Sequence, residues 1–370
     1  MFSHLKVLEL ASVLAGPSVG QFFAELGAEV IKVENPATGG DVTRTWKLAG
    51  ERTGDRSAYF CSVNWGKRSV TLDLHDEQDR ARVYDLALKA DVVIASYKPG
   101  DAEKLGVDYE TLAKLNPRLV YAQISGYGPE NPRVGYDAII QAEAGFMFMN
   151  GEPGGASLKM PVALVDVLAA HHLKEGILLA LLNRERTGKG DKVEVSLIQA
   201  AAASLVNQAT NWLVAGKLPQ KQGSAHPNIA PYGDVYITAD TQEILLAVGS
   251  DRQFQDLCAI LEIQTVAQDA RFKTNAARVE NRIELNALLQ TRMALYTADI
   301  LIHAMHRMKI PAGFIQNMQQ VFETPEVKEL LLNDSGITGV RSFVAKLGSV
   351  GEKKLSAPPG LGEHTKEILS

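Results

Sequence analysis

Apolar segments of strand length alternate with segments of helical spacing along the N-terminal half of the chain. Residues 6–12 (KVLELAS) are apolar and rich in residue types that favour strands. Residues 18–28 place apolar side chains at helical spacing, and Pro17 suits the first turn of a helix. Residues 28–34 (AEVIKVE) have the pattern of a second strand. The pattern therefore predicts a strand–helix–strand unit.

The same alternation continues further along the chain. Strand patterns occur at 68–74, 91–97 and 118–128, with helical patterns at 77–90 and 108–116 between them. A long helix is predicted from Asp166 to about Arg186, followed by a strand and another helix over 191–216. Alternation of this kind predicts an α/β protein with a mostly parallel sheet and helices on both faces, which is a Rossmann-like architecture.

The pattern changes near residue 216. Residues 218–233 (LPQKQGSAHPNIAPYG) form a connection without periodicity, which leads to a hairpin pattern at 234–240 and 243–249. Ser250 is predicted to be the N-cap of the helix that follows. We predict three parts: a large Rossmann-like domain over 1–215, a smaller α/β domain over 216–330, and a segment over 331–370 that returns to the large domain.

Composition limits the classes of partner. The chain has 370 residues and a net charge of -5, with a sequence pI of about 6.0. This balance argues against general binding to nucleic acid or to an anionic membrane, because both require a basic face. Cys61 and Cys258 form neither a disulfide framework nor a metal-ligand pattern, and no apolar run has the length of a membrane span. We expect a cytoplasmic protein without a metal ion.

One carboxylate stands out in residues 159–182 (KMPVALVDVLAAHHLKEGILLALL). Asp166 is surrounded by apolar residues. Burial of an ionised side chain in such surroundings costs on the order of several kcal/mol unless the side chain is hydrogen-bonded. As the N-cap of the following helix, Asp166 would accept backbone N–H groups and stay ionised. A sheltered, charged carboxylate is also what a carboxylate nucleophile requires. The structural and the catalytic interpretations of Asp166 are therefore compatible.

Cationic residues cluster in turns next to the predicted strands. They are Arg44, Lys67, Arg68, Lys98 and Lys104. Tyr97, which precedes Lys98, is suited to cover a purine ring, and the cations are suited to hold phosphates at strand ends, where α/β proteins bind ligands. Solvated surface charge is the alternative interpretation.

Known cofactor motifs are missing or incomplete. Residues 15–20 (AGPSVG) lack the first glycine of the dinucleotide-binding fingerprint. Gly16 and Gly20 are therefore expected to allow close packing of helix on sheet, and neither NAD nor FAD is expected. The sequence also contains no phosphate-binding loop of the GxxxxGK type, no GxSxG motif and no cysteine with a plausible histidine partner.

A series of stretches, in the same order along nearly the whole chain, carries a family resemblance. They are VLELASVLAGPSVGQFFAELGAEVIKVE, NWGKRSVTLDL, ADVVIASYKPG, LGVDYETLAKLNPRLVYAQISGYG, VGYDAIIQAEAGFM, HLKEGILLALLNRERTGKGDKVEVSL, HPNIAPYG and GLGEHT. With these motifs the chain resembles the class III CoA-transferases, the formyl-CoA transferase and CaiB/BaiF family. The resemblance implies a Rossmann-like large domain, a smaller domain and a homodimer of two interlocked chains.

The resemblance also implies site residues and substrates. The nucleophilic aspartate of the family falls on Asp166. The positions that contact coenzyme A or substrate fall on Leu14, Ala15, Asn35, Leu72, His75, Ser96, Tyr97, Lys98, Lys104, Gly135, Tyr136 and Asp137. The implied partners are an acyl-CoA and a carboxylic acid. Coenzyme A is then bound as part of the acyl-CoA substrate, with no metal.

The implied reaction is the transfer of CoA from an acyl-CoA donor to a carboxylic acid through an aspartyl mixed anhydride and an aspartyl-CoA thioester. The glycine-rich loop of oxalate-specific members has no counterpart here, because residues 215–233 contain only scattered glycines.

The alternative is an α-methylacyl-CoA racemase of the same fold. Racemisation needs two bases with pKa values near neutrality. The racemases place a histidine where this chain has Tyr136, and tyrosine, with an ordinary pKa of about 10, is a poor base at neutral pH. This difference favours the transferase.

Overall fold

The structure is a computed structural model that describes residues 1–348, 351 and 353–370. The chain divides into two compact units. Unit 1 comprises Met1–Ala144, Met160–Val206 and Glu326–Ser370, and unit 2 comprises Gly145–Lys159 and Asn207–Pro325. The predicted limits at 215 and 330 stay predictions. They differ from the limits of the compact units chiefly in Gly145–Lys159, which the sequence had assigned to the large domain.

The bounds of the elements are as follows. The strands are β1 Lys6–Leu10, β2 Glu29–Glu34, β3 Arg68–Thr71, β4 Val92–Ala95, β5 Val120–Ser125, β6 Asp191–Ser196, β7 Tyr232–Ile237, β8 Glu243–Ala247, β9 Ala312–Phe314, β10 Leu331–Asp334 and β11 Ile337–Val340. The helices are α1 Ala15–Glu25, α2 Ala58–Cys61, α3 Glu77–Lys89, α4 Asp101–Lys104, α5 Tyr109–Leu115, α6 Asp137–Glu143, α7 Phe146–Met149, α8 Leu164–Thr187, α9 Leu197–Ala203, α10 Val206–Leu213, α11 Asp251–Ile260, α12 Asn275–Glu280, α13 Arg282–Met293, α14 Ala298–Arg307, α15 Met318–Glu323, α16 Pro325–Lys328 and α17 Thr365–Leu369. Among the helices so described, none combines the length and the apolar character needed to cross a bilayer.

Unit 1 is built on a six-stranded sheet in the order β3-β2-β1-β4-β5-β6. Each neighbouring pair is parallel. The strand order reverses between β1 and β4, which is the topological switch point of a doubly wound sheet. The predicted mostly parallel, Rossmann-like sheet is confirmed.

Alternate residues of the strands face two layers of helix. On one side, Leu8 and Val93 share a buried cluster with Val83 of α3 and Leu112 of α5. On the other side, α1 and α8 pack against the sheet and against each other. Helices thus cover both faces, as the uninterrupted apolar strands require.

Glycine in α1 permits this close approach. A Cβ at Gly16 would lie 2.4 Å from the Cβ of Ala11, and a Cβ at Gly20 would lie 1.9 Å from a carboxylate oxygen of Glu9. Both positions therefore serve the packing of α1 on the sheet, as expected for these two glycines. At Gly20 the neighbour is a buried charge.

The helix that carries Asp166 begins earlier than predicted. Helix α8 starts at Leu164 with Ala163 as its N-cap, so Asp166 is the third helical residue. The prediction that Asp166 caps the helix is wrong. The C-terminal end agrees with the sequence, because Gly188 follows the helix in the left-handed conformation that favours glycine. After β6, two helices, α9 and α10, stand in place of the single helix expected.

Unit 2 contains an antiparallel three-stranded sheet in the order β7-β8-β9. The predicted hairpin is its β7–β8 pair. Ser250 caps α11 as predicted, since its side chain accepts the N–H of Gln253. The core of this unit joins the sheet to α11, α13 and α14 through residues such as Leu246, Phe254 and Leu289.

Candidate active site

A cavity of about 290 Å³ lies at the carboxyl ends of β1, β4 and β5 in unit 1. This is the switch point of the sheet, where doubly wound proteins bind their ligands. Nine of the predicted site residues line it: Leu14, Ala15, Ser96, Tyr97, Lys98, Gly135, Tyr136, Asp137 and Asp166. Val134, directly before the predicted Gly135, also lines the cavity. The lining residues that the sequence did not identify are Ser12, Val13, Gly16, Pro99, Ile124, Ser125, Gly126, Arg133 and Leu197.

Four predicted contact residues lie elsewhere. Leu72 is 1% exposed within the core beneath α3. Asn35 caps a short helical turn and donates to Asp73, and the N–H of His75 donates to the same Asp73 carboxylate. Lys104 is exposed and pairs with Asp101 at 3.0 Å. The structure does not bring these four residues to the cavity wall, and their contact with coenzyme A stays a prediction.

Most of the predicted cationic cluster has a structural use. Arg44 is buried and forms two hydrogen bonds of 2.7 Å to the Glu34 carboxylate. Lys67 is fully buried beside Glu9. Arg68 pairs with Glu29 at 2.7 Å. The interpretation of these three residues as phosphate ligands is wrong, because their charges are already neutralised by carboxylates on β1 and β2.

The loop between β1 and α1 forms one wall of the cavity in a strained conformation. Val13 has a φ of 74°, in the left-handed region that β-branched residues rarely adopt. The N–H of Val13 lies 3.3 Å from both carboxylate oxygens of Asp41. The N–H of Ser12 donates to the hydroxyl of Ser96 at 3.1 Å, which links this loop to the loop that follows β4. The buried Lys32 of β2 also holds this loop, because its ammonium group donates to the carbonyl of Ala11. The wall is thus fixed before any ligand arrives.

Two glycines bring the opposite wall into place. A Cβ at Gly135 would lie 2.5 Å from the Cα of Gly126, so neither position can carry a side chain. This close contact presses the segment before α6 against the end of β5. It sets Tyr136 and Asp137 on the cavity, with Tyr136 58% exposed.

Asp166 is the more deeply buried of the two carboxylates that line this cavity, Asp137 and Asp166. It is 8% exposed, and no hydrogen bond reaches its carboxylate from any residue that the structure describes. Burial, and then the negative charge of Asp137, raise the pKa of Asp166 to about 7. The expectation of a hydrogen-bonded, fully ionised carboxylate is therefore wrong. A pKa this high leaves part of the Asp166 population protonated at neutral pH.

Tyr59 of α2 is a neighbour that the sequence did not reveal. Burial and the charges of Asp166, Asp137 and Asp41 raise the pKa of Tyr59 to about 12. Its phenol therefore stays protonated and able to donate a hydrogen bond near the two carboxylates. Its ring is fixed by an edge-on contact with Trp46, with centroids 5.1 Å apart. No spacing pattern links Tyr59 to Asp166, and only the tertiary fold brings them together.

Across residues 1–348, 351 and 353–370, no group of three or more His, Cys, Asp or Glu side chains is placed to hold a metal ion. The cavity offers a buried carboxylate, Asp166, that accepts no hydrogen bond from the described residues, and its lining also includes the cationic side chains Lys98 and Arg133.

Comparison with known proteins gives this site its context. The sequence model of CoA-transferase family III matches residues 2–365. A succinate–glutarate CoA-transferase of Agrobacterium fabrum is 39% identical over 100% of this chain and 94% of that protein. An acetyl-CoA:oxalate CoA-transferase of Acetobacter aceti is 36% identical over 91% of this chain and 86% of that protein. A crystal structure of a CaiB/BaiF family protein from Brucella suis has a TM-score of 0.87 and 41% identity, and the match covers 99% of this chain and 97% of that one.

The chain belongs to CoA-transferase family III. The predicted class III CoA-transferase family and the predicted class of enzyme are confirmed.

Proposed function

We propose that this protein transfers CoA from an acyl-CoA to a carboxylic acid, with Asp166 as the nucleophile. The observation that carries the proposal is the Asp166 carboxylate itself, which is 8% exposed, faces the switch-point cavity and accepts no hydrogen bond from the described residues. A structural carboxylate would be hydrogen-bonded or paired, because an unpaired buried one is destabilising. Retention of such a group is typical of a reacting group.

The reaction balances without water or an outside oxidant. Ionised Asp166 attacks the thioester carbonyl, the C–S bond breaks, and a mixed anhydride and CoA thiolate form. The thiolate attacks the aspartyl carbonyl, releasing the donor acid and leaving an aspartyl-CoA thioester. The acceptor carboxylate then attacks that thioester, and the returning thiolate takes the acceptor acyl group and frees Asp166. CoA thiolate, with a thiol pKa of about 8.5, is a competent leaving group when a carboxylate attacks a thioester, and a carboxylate leaves when the thiolate attacks an anhydride.

The pKa of Asp166 near 7 suits this role. A more basic carboxylate is a better nucleophile than an ordinary aspartate, and the ionised fraction remains large at neutral pH. Restricted access of water protects the anhydride and the thioester, both of which hydrolyse.

The first turn of α1 supplies candidate oxyanion donors. Ala15 and Gly16 begin the helix and line the cavity, and no side chain caps this helix. Backbone N–H groups at a helix start stabilise negative oxygen, so they suit the tetrahedral intermediates. The start of α8 is less suitable, because the Val165 N–H already donates to Asp137.

Short dicarboxylic acids are the proposed acceptor class. The Agrobacterium relative is named for succinate and glutarate, and Lys98 and Arg133 offer positive charge at the cavity for a second carboxylate or for the phosphates of CoA. Arg133 already pairs with Glu143 at 2.6 Å, so Lys98 is the better candidate.

Trapping with hydroxylamine tests the nucleophile. We expect incubation with succinyl-CoA and hydroxylamine to inactivate the enzyme, because hydroxylamine attacks the activated aspartyl carbonyl and leaves a hydroxamate. Peptide mass spectrometry should locate it at Asp166, and only when acyl-CoA is present. Modification elsewhere would contradict the proposal. A parallel incubation of a 2-methylacyl-CoA in heavy water tests the racemase, which requires α-deuterium uptake without CoA exchange.

A homodimer is proposed for the solution state. Helix α8 buries Leu173 and Ile177 fully, yet Leu179 and Leu182 are 67% and 63% exposed. A second copy of the chain is the proposed cover for this apolar face, in line with the interlocked dimer that the family resemblance implies. Sedimentation should then give twice the chain mass of 40.1 kDa. A monomer at micromolar concentration would count against it. The free, buried thiols of Cys61 and Cys258 support a cytoplasmic location.

A further inference from the structure

The N-terminus of α8, the helix that carries Asp166, is capped by a residue of another helix. Its own N-cap residue, Ala163, has no side-chain oxygen to accept the free N–H groups of the first turn. The acceptor is Asp137 of α6, whose Oδ1 lies 2.8 Å from the N–H of Val165. Asp137 is 28 positions away in sequence from Val165, so the cap is a tertiary contact.

A buried amide fixes the capping carboxylate. Gln141, one turn further along α6, donates from Nε2 to Oδ2 of Asp137 at 2.7 Å. Its Oε1 accepts the N–H of Met160 at 2.8 Å. Gln141 is fully buried. It therefore ties Asp137 to the segment that enters α8, and both oxygens of Asp137 are committed to structure.

This arrangement changes what Asp166 can do. An acidic side chain in the first turn of a helix is normally drawn to the free N–H groups there. Here Asp137 takes the Val165 N–H, and no donor in the described parts of the chain reaches the Asp166 carboxylate. The lone pairs of Asp166 remain available for attack.

We propose that Asp137 is a positioning residue, which caps α8 in place of Asp166 and so keeps the Asp166 carboxylate free to react. This assignment rests on the proposed role of Asp166 as nucleophile. It replaces the expectation, drawn from the family resemblance, that Asp137 contacts CoA or substrate.

The charge of Asp137 gives the proposal a measurable signature. Burial first and Asp137 second raise the pKa of Asp166 to about 7. Protonated Asp166 cannot attack, so turnover should fall as the pH drops below about 7. Removal of the Asp137 charge lowers the pKa of Asp166, so this acid limb should move to lower pH. The other titratable groups facing this space are Tyr59, Tyr97, Lys98, Arg133 and Tyr136, and all are left in place by the variants below.

Two substitutions separate the cap from the charge. Asp137→Ala removes both, and it should lower kcat by about tenfold or more with little change in KM for acyl-CoA. Asp137→Asn keeps an oxygen for the Val165 N–H but loses the charge and the bond from Gln141. It should recover part of kcat and shift the acid limb down by about one pH unit. The profiles are measured with succinyl-CoA and glutarate between about pH 5 and pH 9.

A matched control removes a similar cap far from the cavity. Asp108 caps α5 by accepting the N–H of Thr111 at 3.0 Å. Asp108→Ala should lower the melting temperature to a similar extent as Asp137→Ala, yet leave kcat and the acid limb unchanged. A merely structural role for Asp137 would produce the same result in both variants.

Three results would overturn the assignment. One is an Asp137→Ala enzyme with raised KM for acyl-CoA but an unchanged kcat and acid limb, which marks a substrate contact. A second is wild-type behaviour in Asp137→Ala. The third is an unmoved acid limb in Asp137→Asn, which decides the matter if the alanine variant does not fold. Failure of the proposed function is distinct, because it appears in the wild type as the absence of CoA transfer or of hydroxamate at Asp166.

Discussion

Asp166→Ala is expected to abolish CoA transfer, with a loss of about 10⁴-fold or more, because the proposed anhydride and thioester intermediates both form on the Asp166 carboxylate. The same substitution should not destabilise the protein. Asp166 is buried without a hydrogen bond from the described residues, so its carboxylate costs free energy in the folded state. We expect a melting temperature equal to or above that of the wild type, since stability and activity are often opposed at a reacting group.

Chromatography of the CoA thioesters and thermal unfolding measure the two effects on one preparation. Asp166→Asn provides the isosteric comparison, because it keeps the volume of the side chain and removes the charge that attacks. Both variants should still be stabilised by added acyl-CoA, as the cavity wall is unchanged. Turnover within tenfold of the wild type in either variant would remove Asp166 from the mechanism.

The architecture of unit 1 was predictable from local pattern. Strands buried on both sides show as uninterrupted apolar runs, such as Val92–Ala95, and the helices between them have their own spacing. The alternation requires a parallel sheet, and the location of a ligand site follows from the ends of its strands. Loops that reach the cavity, such as Ser96 to Lys98, could therefore be identified without coordinates.

The start of α8 was misjudged because its cap is not local. Sequence rules place a helix start at an Asp, Ser, Thr or Asn, and the only such residue in the apolar run is Asp166. Asp137 supplies the cap from α6, so the helix begins at Leu164. The same contact explains the error about protonation. If Asp166 capped the helix, its carboxylate would be ionised. Because Asp166 is not the cap and lies near the Asp137 carboxylate, it is not fully ionised.

The charged residues show the other limit of sequence reasoning. Lys67 and Arg44 stand in turn-like sequences that suit a phosphate site, but the carboxylates that neutralise them lie on β1 and β2. Whether a lysine faces solvent or a buried Glu depends on strand order and register, which no spacing within the turn reveals. Tyr59 was missed for the same reason, since only the fold places it by the two aspartates.

The neutralised charges form a cluster under the β1–α1 loop. Lys67 Nζ donates to both oxygens of Glu9, at 3.0 and 2.8 Å, and to the carbonyl of Pro17 at 2.8 Å. Lys32 bridges Glu9 at 3.1 Å and Asp41 at 2.9 Å. Burial lowers the pKa of Lys67 to about 8, and Glu9 opposes this shift. Lys67 therefore remains mostly charged at neutral pH and balances one of the buried carboxylates.

Lys67→Met should lower the free energy of unfolding by about 3–5 kcal/mol, because it leaves the Glu9 carboxylate buried with one cation fewer. Weaker binding of acyl-CoA should accompany this loss of stability. Pro17 lies in the first turn of α1, directly after the loop that holds Val13 in its strained conformation. Loss of the bond to Pro17 should therefore loosen that loop, so KM for acyl-CoA should rise even at temperatures where the variant is folded. Urea unfolding and initial rates at low temperature measure the two.

Lys192→Met is the matched control for this prediction. Lys192 pairs with Glu194 at 2.9 Å on β6, where both side chains are 37% exposed. Solvent screens such a pair, so its loss should change stability by no more than about 0.5 kcal/mol and leave KM unaltered. The contrast between the two substitutions isolates burial, since the residue type and the substitution are the same. Equal, small losses in both would show that the cluster under the loop contributes no more than a surface ion pair, and that the strained wall of the cavity is held by other contacts.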